Sequence, residues 1–223
     1  MAYVLGYIYA DGTIYHSSRG KYLAITSTDE STLLKIRDWM GSTHNIVSLK
    51  PDWPNGKTRF KLRIGNRHIY NSLVDLGLYP SKSLTIRMPA VPEKFLPDFI
   101  RGYFDGDGCV HIYKSKGIKQ EIVLRKLTTI FTSGSERFLH DVLNILRSNM
   151  PTKQTRIYIS RRSYQLRFAT ADSVNLFKFL YKSSPKKFFL FRKFNIFSEY
   201  FYLRPQRIDR DIENILKSLG KSA

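Results

Sequence analysis

Two aspartates, Asp11 and Asp107, stand out as residues whose type and spacing could do chemistry. The stretch Val4-Leu5-Gly6-Tyr7-Ile8-Tyr9-Ala10-Asp11-Gly12 recurs as Ile100-Arg101-Gly102-Tyr103-Phe104-Asp105-Gly106-Asp107-Gly108, 96 residues later. The pairs Gly6/Gly102, Tyr7/Tyr103, Asp11/Asp107 and Gly12/Gly108 are identical. If each stretch is a helix, Gly6 and Gly102 let two backbones approach where larger side chains would hold them apart. Ala10 and Gly106 keep the lower end of that contact narrow, so Asp11 and Asp107 finish their helices beside each other. A carboxylate at a helix C-terminus meets the negative end of the dipole, and two neighbouring carboxylates repel, which raises at least one pKa. A divalent cation removes both penalties, and Mg²⁺ typically accepts one or two carboxylates together with phosphate oxygens and water. A single Asp-Gly can equally just cap a helix and start a turn. Repetition at matched positions is what points to a cation site. Asp105 is a poorer ligand candidate, because its counterpart is Tyr9.

Other chemistries find little support. His16, His44, His68, His111 and His140 are scattered without metal-ligand spacing. The one cysteine, Cys109, excludes an internal disulfide and a cysteine-based zinc site, and suits a reducing cytosol or organelle matrix. No nucleotide-binding glycine loop is present. The charge is lopsided: 37 basic against 18 acidic residues among 223, a net +19, which points first to a nucleic-acid partner. No run approaches the roughly 18 apolar residues of a membrane span, and Met1–Leu5 leads directly into the fold without a secretory signal. The expected location is intracellular, cytoplasm or organelle matrix, with no membrane partner.

The elements that must position the aspartates repeat as well. Thr26-Ser27-Thr28-Asp29-Glu30 meets Thr132-Ser133-Gly134-Ser135-Glu136, each reading as a strand end entering a helix N-cap. Phe60-Lys61-Leu62-Arg63-Ile64 meets Tyr164-Gln165-Leu166-Arg167-Phe168 at a spacing of 104, which persists to Lys82 and Lys186. The drift from 96 to 104 puts longer loops in the second half. Each half reads as helix, two strands (13–17 and 21–27; 109–113 and 121–132), helix (30–40; 135–150), a second strand pair, and helix (66–76; 171–181). A turn is expected at Pro54-Asn55-Gly56. Pro80, Pro89, Pro92 and Pro97 crowd a connector that enters the second motif helix. The predicted organisation is a first half over 1–78, a linker over 79–92, a second half over 93–203 and a C-terminal helix over 204–223. Residues 187–203 form a very aromatic helix, and Ile208, Ile212, Ile215 and Leu219 a short amphipathic one; both read as core-covering elements.

A duplicated αββαββ unit whose first helix ends in Gly-Tyr-x-x-x-Asp-Gly resembles the LAGLIDADG homing endonuclease family, in the monomeric form with two motifs. The likeness runs from Val4 to about Tyr202; Leu78-Tyr79-Pro80-Ser81-Lys82-Ser83 and Phe99 through Gly108 carry it most closely. It implies an α+β fold with an optional further helix per unit, in which two antiparallel sheets form a DNA-binding saddle around a pseudo-two-fold axis. It also implies a Mg²⁺-dependent hydrolase that cuts both strands of a long pseudo-palindromic DNA target, with two or three central divalent ions for which Mn²⁺ can substitute. Asp11 and Asp107 then serve as metal ligands and catalytic groups, and the carbonyls of Ala10 and Gly106 complete the coordination. Family members place a lysine near each scissile phosphate; Lys82 and Lys186 match one another, although solvated turn lysines would look the same.

The DNA would be read by the sheets. Along 57–64, Lys57, Arg59, Lys61 and Arg63 alternate with Thr58, Phe60, Leu62 and Ile64; in the second half Arg161, Ser163, Gln165 and Arg167 alternate with Arg162, Tyr164, Leu166 and Phe168. Four same-sign residues on one strand face repel unless an anion lies against them, and such a face suits the major groove. Arg19, Lys21, Lys114, Lys116, Lys119, Arg125 and Lys126 are expected at the DNA backbone. At ~3.3 Å per strand residue and ~3.4 Å per base pair, two sheets span on the order of 18 base pairs, and the expected partner is a double-stranded DNA target of about 18–22 base pairs. Two rival functions share the fold: a group I intron RNA maturase, with host intron RNA as partner, and a catalytically inactive DNA-binding regulator. Lost acids or a broken basic face would mark the maturase, and the sequence shows neither; the intact pair of aspartates weighs against the inactive regulator. Obvious intein splicing flanks are also missing, as expected of a free-standing or intron-encoded protein.

Overall fold

The computed structural model describes residues 1–51, 53, 54, 56–116, 122–185 and 188–220, with 122–125 described through the backbone alone. The first half runs α1 (Ala2–Asp11), β1 (Gly12–Ser17), β2 (Gly20–Ser27), α2 (Glu30–Trp39), β3 (Ile46–Leu49), β4 (Arg59–Gly65) and α3 (Arg67–Asp75). A connector with 3-10 turns at Lys82–Leu84 and Glu93–Phe95 follows. The second half runs α4 (Leu96–Asp107), β5 (Gly108–Lys116), β6 (Ile122–Ser133), α5 (Glu136–Asn149), β7 (Arg156–Ser160), β8 (Ser163–Phe168) and α6 (Thr170–Tyr181). Two further helices close the chain, α7 (Phe191–Leu203) and α8 (Arg210–Leu219).

Each half forms one antiparallel four-stranded sheet, ordered β1-β2-β4-β3 and β5-β6-β8-β7. The register explains which face is apolar. Leu23 pairs with Ile64 and Ile25 with Leu62, and all four are buried. In the second sheet Phe131 pairs with Leu166 and Thr129 with Phe168, so the period-2 apolar positions lie on the side covered by helices. The duplicated α+β fold anticipated from the repeat is what the structure shows.

Local chemistry sets the helix starts. Asp29 accepts from the Thr32 N–H at 3.3 Å and Ser135 from the Phe138 N–H at 3.3 Å, so the two strand-to-helix junctions use side-chain caps as the repeat predicts. Asn66 caps α3 through Ile69 at 3.0 Å. At the C-terminus, Ile212, Ile215 and Leu219 bury one stripe of α8, whereas Ile208 precedes the helix. Lys178–Asp209 at 2.7 Å and Lys182–Asp211 at 3.0 Å tie the α8 segment to the α6 end.

Some boundaries differ from expectation. The strand anticipated from Lys57 starts at Arg59. Arg161 and Arg162 are not strand residues: they form the two-residue turn between β7 and β8, with Arg161 at φ 52°. A two-residue hairpin needs positive φ at its first position, and the sequence alternation simply continued through it. Asn55, within the expected turn, lies outside the described residues.

Candidate active site and nucleic-acid face

The two motif helices α1 and α4 pack backbone against backbone. A Cβ on Gly6 would sit 2.0 Å from the Phe99 carbonyl oxygen, and one on Gly102 2.0 Å from that of Tyr3. Lower down, a Cβ on Gly106 would meet the Ala10 Cβ at 2.4 Å and lie 3.4 Å from Asp11 Oδ2. The repeated tyrosines anchor each motif helix to its sheet. Tyr7 Oη donates to Ser27 Oγ at 3.2 Å, and Tyr103 Oη to the Thr132 carbonyl at 2.8 Å.

Asp11 and Asp107 are the last residues of these helices and meet at the seam. Burial pushes the Asp11 carboxyl above its ordinary value, against the pull of the Tyr7 hydroxyl, Lys193 and Lys82. Asp107 is exposed at the surface, although protein crowds its carboxyl from behind. Loss of water pushes its carboxyl up to about 6, and the charge of Asp11 adds to the shift.

A buried lysine serves each helix end. Lys82, 7% exposed, comes from the connector; its Nζ donates to the carbonyls of Tyr9 at 2.6 Å and Ala10 at 3.3 Å. Lys193, 3% exposed, comes from α7; its Nζ donates to the carbonyls of Phe104 at 2.6 Å, Asp105 at 2.9 Å and Gly108 at 2.5 Å. A cation at the C-terminal carbonyls complements the helix dipole. Burial lowers both ammonium pKa values, that of Lys193 to about 8, while the aspartates around them oppose the shift.

Lys82 was expected near the site and is there. Lys186, its counterpart by sequence spacing, lies outside the described residues; among the described residues, Lys193 is the lysine held at the second motif. Sequence reasoning passed over it because its surroundings, Phe191 to Phe201, read as plain core. One signal was available: Lys193, Phe197 and Tyr200 recur at helical spacing, which puts a lysine on the buried face.

The donor set suits a hard divalent cation. Among the described residues no cluster of three or more His, Cys, Asp or Glu side chains could hold a metal. An ion at the seam would have two carboxylates and, close by, the carbonyls of Ala10 and Gly106, of which Ala10 already receives Lys82. That is a site open to phosphate oxygens and water, as Mg²⁺-type ions require, rather than a closed protein cage.

On the sheets, Arg59, Lys61 and Arg63 stand opposite the buried Leu62 and Ile64, as the alternation predicts. Arg63 lies over the Tyr22 ring at 5.5 Å, and Arg167 over the Tyr158 ring at 5.0 Å. Arg167 also donates through Nε and a terminal nitrogen to Gln165 Oε1, at 2.9 and 2.7 Å. Ser163 Oγ is turned back to the Ser160 carbonyl. Lys57, Arg19 and Lys116 are exposed. Lys126 is exposed beside the Tyr113 ring. Lys114 pairs with Glu199 of α7 at 2.6 Å. Lys21, expected at the DNA backbone, instead turns to the helix layer: its Nζ donates to Asn71 Oδ1 at 2.7 Å and lies over the Tyr70 ring. It follows the tight β1–β2 turn, where pairing with His16 puts it on the helix-covered face. Lys119 lies outside the described residues, as does the side chain of Arg125. No described helix is long and apolar enough to cross a membrane.

Comparison with known proteins agrees with this geometry. Residues 95–179 match the LAGLIDADG-like domain family. No curated protein matches the chain significantly in sequence. Among solved structures, the LAGLIDADG meganuclease I-AabMI bound to uncleaved DNA superposes with a TM-score of 0.62 at 14% identity, covering 99% of this chain and 98% of that one. Meganuclease I-SmaMI bound to uncleavable DNA gives 0.57 at 12% identity, covering 99% and 98%. I-DmoI in complex with DNA and Mn gives 0.52 at 18% identity, covering 82% and 96%. The second half thus carries a LAGLIDADG-like domain, and the whole chain shares the duplicated fold of these meganucleases.

Proposed function

We propose that this protein is a site-specific endonuclease that acts as a monomer on a double-stranded DNA target of about 18–22 base pairs and hydrolyses one phosphodiester in each strand. The observation that carries the proposal is the seam itself. Two carboxylates end crossed helices side by side, each helix end carries a buried lysine, and the sheets on either side present arginine and lysine on their uncovered faces.

Asp11 and Asp107, with the Ala10 and Gly106 carbonyls, would hold two or three divalent ions, Mg²⁺ or in its place Mn²⁺. Such ions supply charge neutralisation on the phosphate and lower the pKa of a bound water. The residues of the chain do the rest. Lys82 Nζ and Lys193 Nζ, fixed on main-chain carbonyls, keep positive charge beside each carboxylate, where a phosphate gathers negative charge. With its pKa near 8, Lys193 can hold or release a proton close to neutral pH. Arg59, Lys61 and Arg63 in one half, and Gln165 and Arg167 in the other, are placed to reach base edges in the major groove. The unequal chemistry of the two faces implies a target whose half-sites differ.

Selection of cut molecules from a randomised DNA pool tests this, in Mg²⁺ and in chelator. A discrete double-strand site that requires Mg²⁺ is expected. Asp11→Asn and Asp107→Asn should each slow cutting of at least one strand by about a hundredfold or more while leaving binding intact. Both variants cutting at the parental rate would rule out the assignment.

A further inference from the structure

The position two residues before each seam aspartate holds Tyr9 in α1 and Asp105 in α4. These residues share no chemistry, yet each grips the segment that delivers a lysine. Tyr9 Oη donates to the Leu76 carbonyl, at the end of α3 and six residues before Lys82. Asp105 Oδ2 accepts from the Leu190 N–H at 2.7 Å, three residues before Lys193. The first segment presents a carbonyl and meets a donor; the second presents an N–H and meets an acceptor.

The second grip is reinforced. Asp105 Oδ2 also accepts from Tyr3 Oη, across the helix seam, at 2.8 Å. Arg101, one turn earlier on α4 and fully buried, donates to the carbonyls of Phe188 at 2.7 Å and Leu180 at 2.6 Å, and pairs with Asp98. The Phe188 ring stacks on Trp39 at 3.9 Å. The start of α7 is thus held at its backbone on both sides of Phe189. A fully enclosed carboxylate with Oδ1 unpartnered is a costly way to meet one N–H if packing alone were at stake.

We propose that Asp105 is a positioning residue for Lys193, holding the entry of α7 so that the ammonium reaches the end of the second motif helix, and that it therefore governs cleavage of one DNA strand and not the other. The strand claim rests on the endonuclease reading; the positioning claim does not.

Two measurements test it. The first is acetylation of the native protein followed by mass spectrometry. Asp105→Ala should raise Lys193 labelling toward that of exposed Lys116 and leave Lys82 protected, while Asp105→Asn, which keeps an acceptor, should protect Lys193. The second is strand-resolved nicking of a supercoiled plasmid carrying the target. Asp105→Ala should slow one strand by about 10- to 100-fold, the same strand that Lys193→Met slows. The double variant should be no slower than Lys193→Met alone. If Asp105→Ala does not fold, Asp105→Ser, too short to reach Leu190, is read the same way. Unchanged Lys193 labelling, equal slowing of both strands, or additive losses would overturn the proposal. Should the parent protein cut no DNA, the endonuclease reading fails and labelling alone still decides the positioning.

Discussion

The two halves of the chain agree where they touch and diverge where they do not. At the seam the correspondence is close: glycine faces backbone, tyrosine binds the end of the second strand, and an aspartate closes the helix. Away from it, the second half adds α7 and α8 and an aromatic cluster in which Phe177, Tyr181, Phe194 and Phe197 pack together. Among the described residues the first half has no such cover, and Leu5, Ile8, Ile69, Leu73 and Met40 line a cavity of about 460 Å³. The lysines mark the boundary between these regimes. Both reach main-chain carbonyls of a motif helix, one from a connector and the other from an added helix. Geometry at the seam constrains each residue by its neighbours in space; the supply of a charge to that seam constrains only where it arrives.

Three experiments can break or sharpen this comparison. The largest effect belongs to the matched part. Gly6→Ala and Gly102→Ala each drive a methyl into a carbonyl of the opposite helix and should cost about 3 kcal/mol or more, with similar losses in the two halves by denaturant unfolding. A much smaller loss in one half would show that the contact is not symmetric. Next come the unmatched lysines. Lys82→Met and Lys193→Met should each slow one strand by about 10- to 100-fold, on opposite strands, in the same nicking assay. Slowing of the same strand by both would dissolve their equivalence.

The smallest effect separates the two carboxylates. The Asp107 carboxyl, pushed up to about 6, keeps its proton in the folded chain where the unfolded chain, at 3.8, has lost it. Its contribution to stability therefore falls as pH rises from about 4 through about 6 and stays low above that. In metal-free buffer Asp107→Asn should exceed the parent by about 1 kcal/mol at pH 7.5, a figure reduced for the exposure of this group, and lose that advantage near pH 4. Thermal unfolding at the two pH values checks it, and an unchanged difference would remove the proton from the account.

Much of this was legible in sequence because repetition carried it. Asp11 and Asp107 share their offset with the glycines and tyrosines around them, and Asp29 and Ser135 announce the helix starts. Lys193 escaped because it lies on α7, a helix the first half lacks, so no constant spacing leads to it from Lys82. Alternation also misled at a turn: Arg161 and Arg162 form the two-residue hairpin between β7 and β8, where the face a side chain takes depends on turn geometry rather than on odd or even numbering. Asp105 was set aside because Tyr9 is chemically unlike it, although the two hold equivalent segments with opposite hydrogen-bond polarity.

The direct backbone packing of α1 on α4 works as a fixed caliper. With glycine set against backbone at the crossing, little slack is left there, and the gap between Asp11 and Asp107 is held however the flanking sheets adapt to a ligand. On the proposed function, the stagger between the two nicks is thus set by the protein alone. A target lengthened by one base pair at its middle should still be bound by either sheet and yet resist complete scission, a separation that gel-shift and cutting assays on the same duplex would reveal.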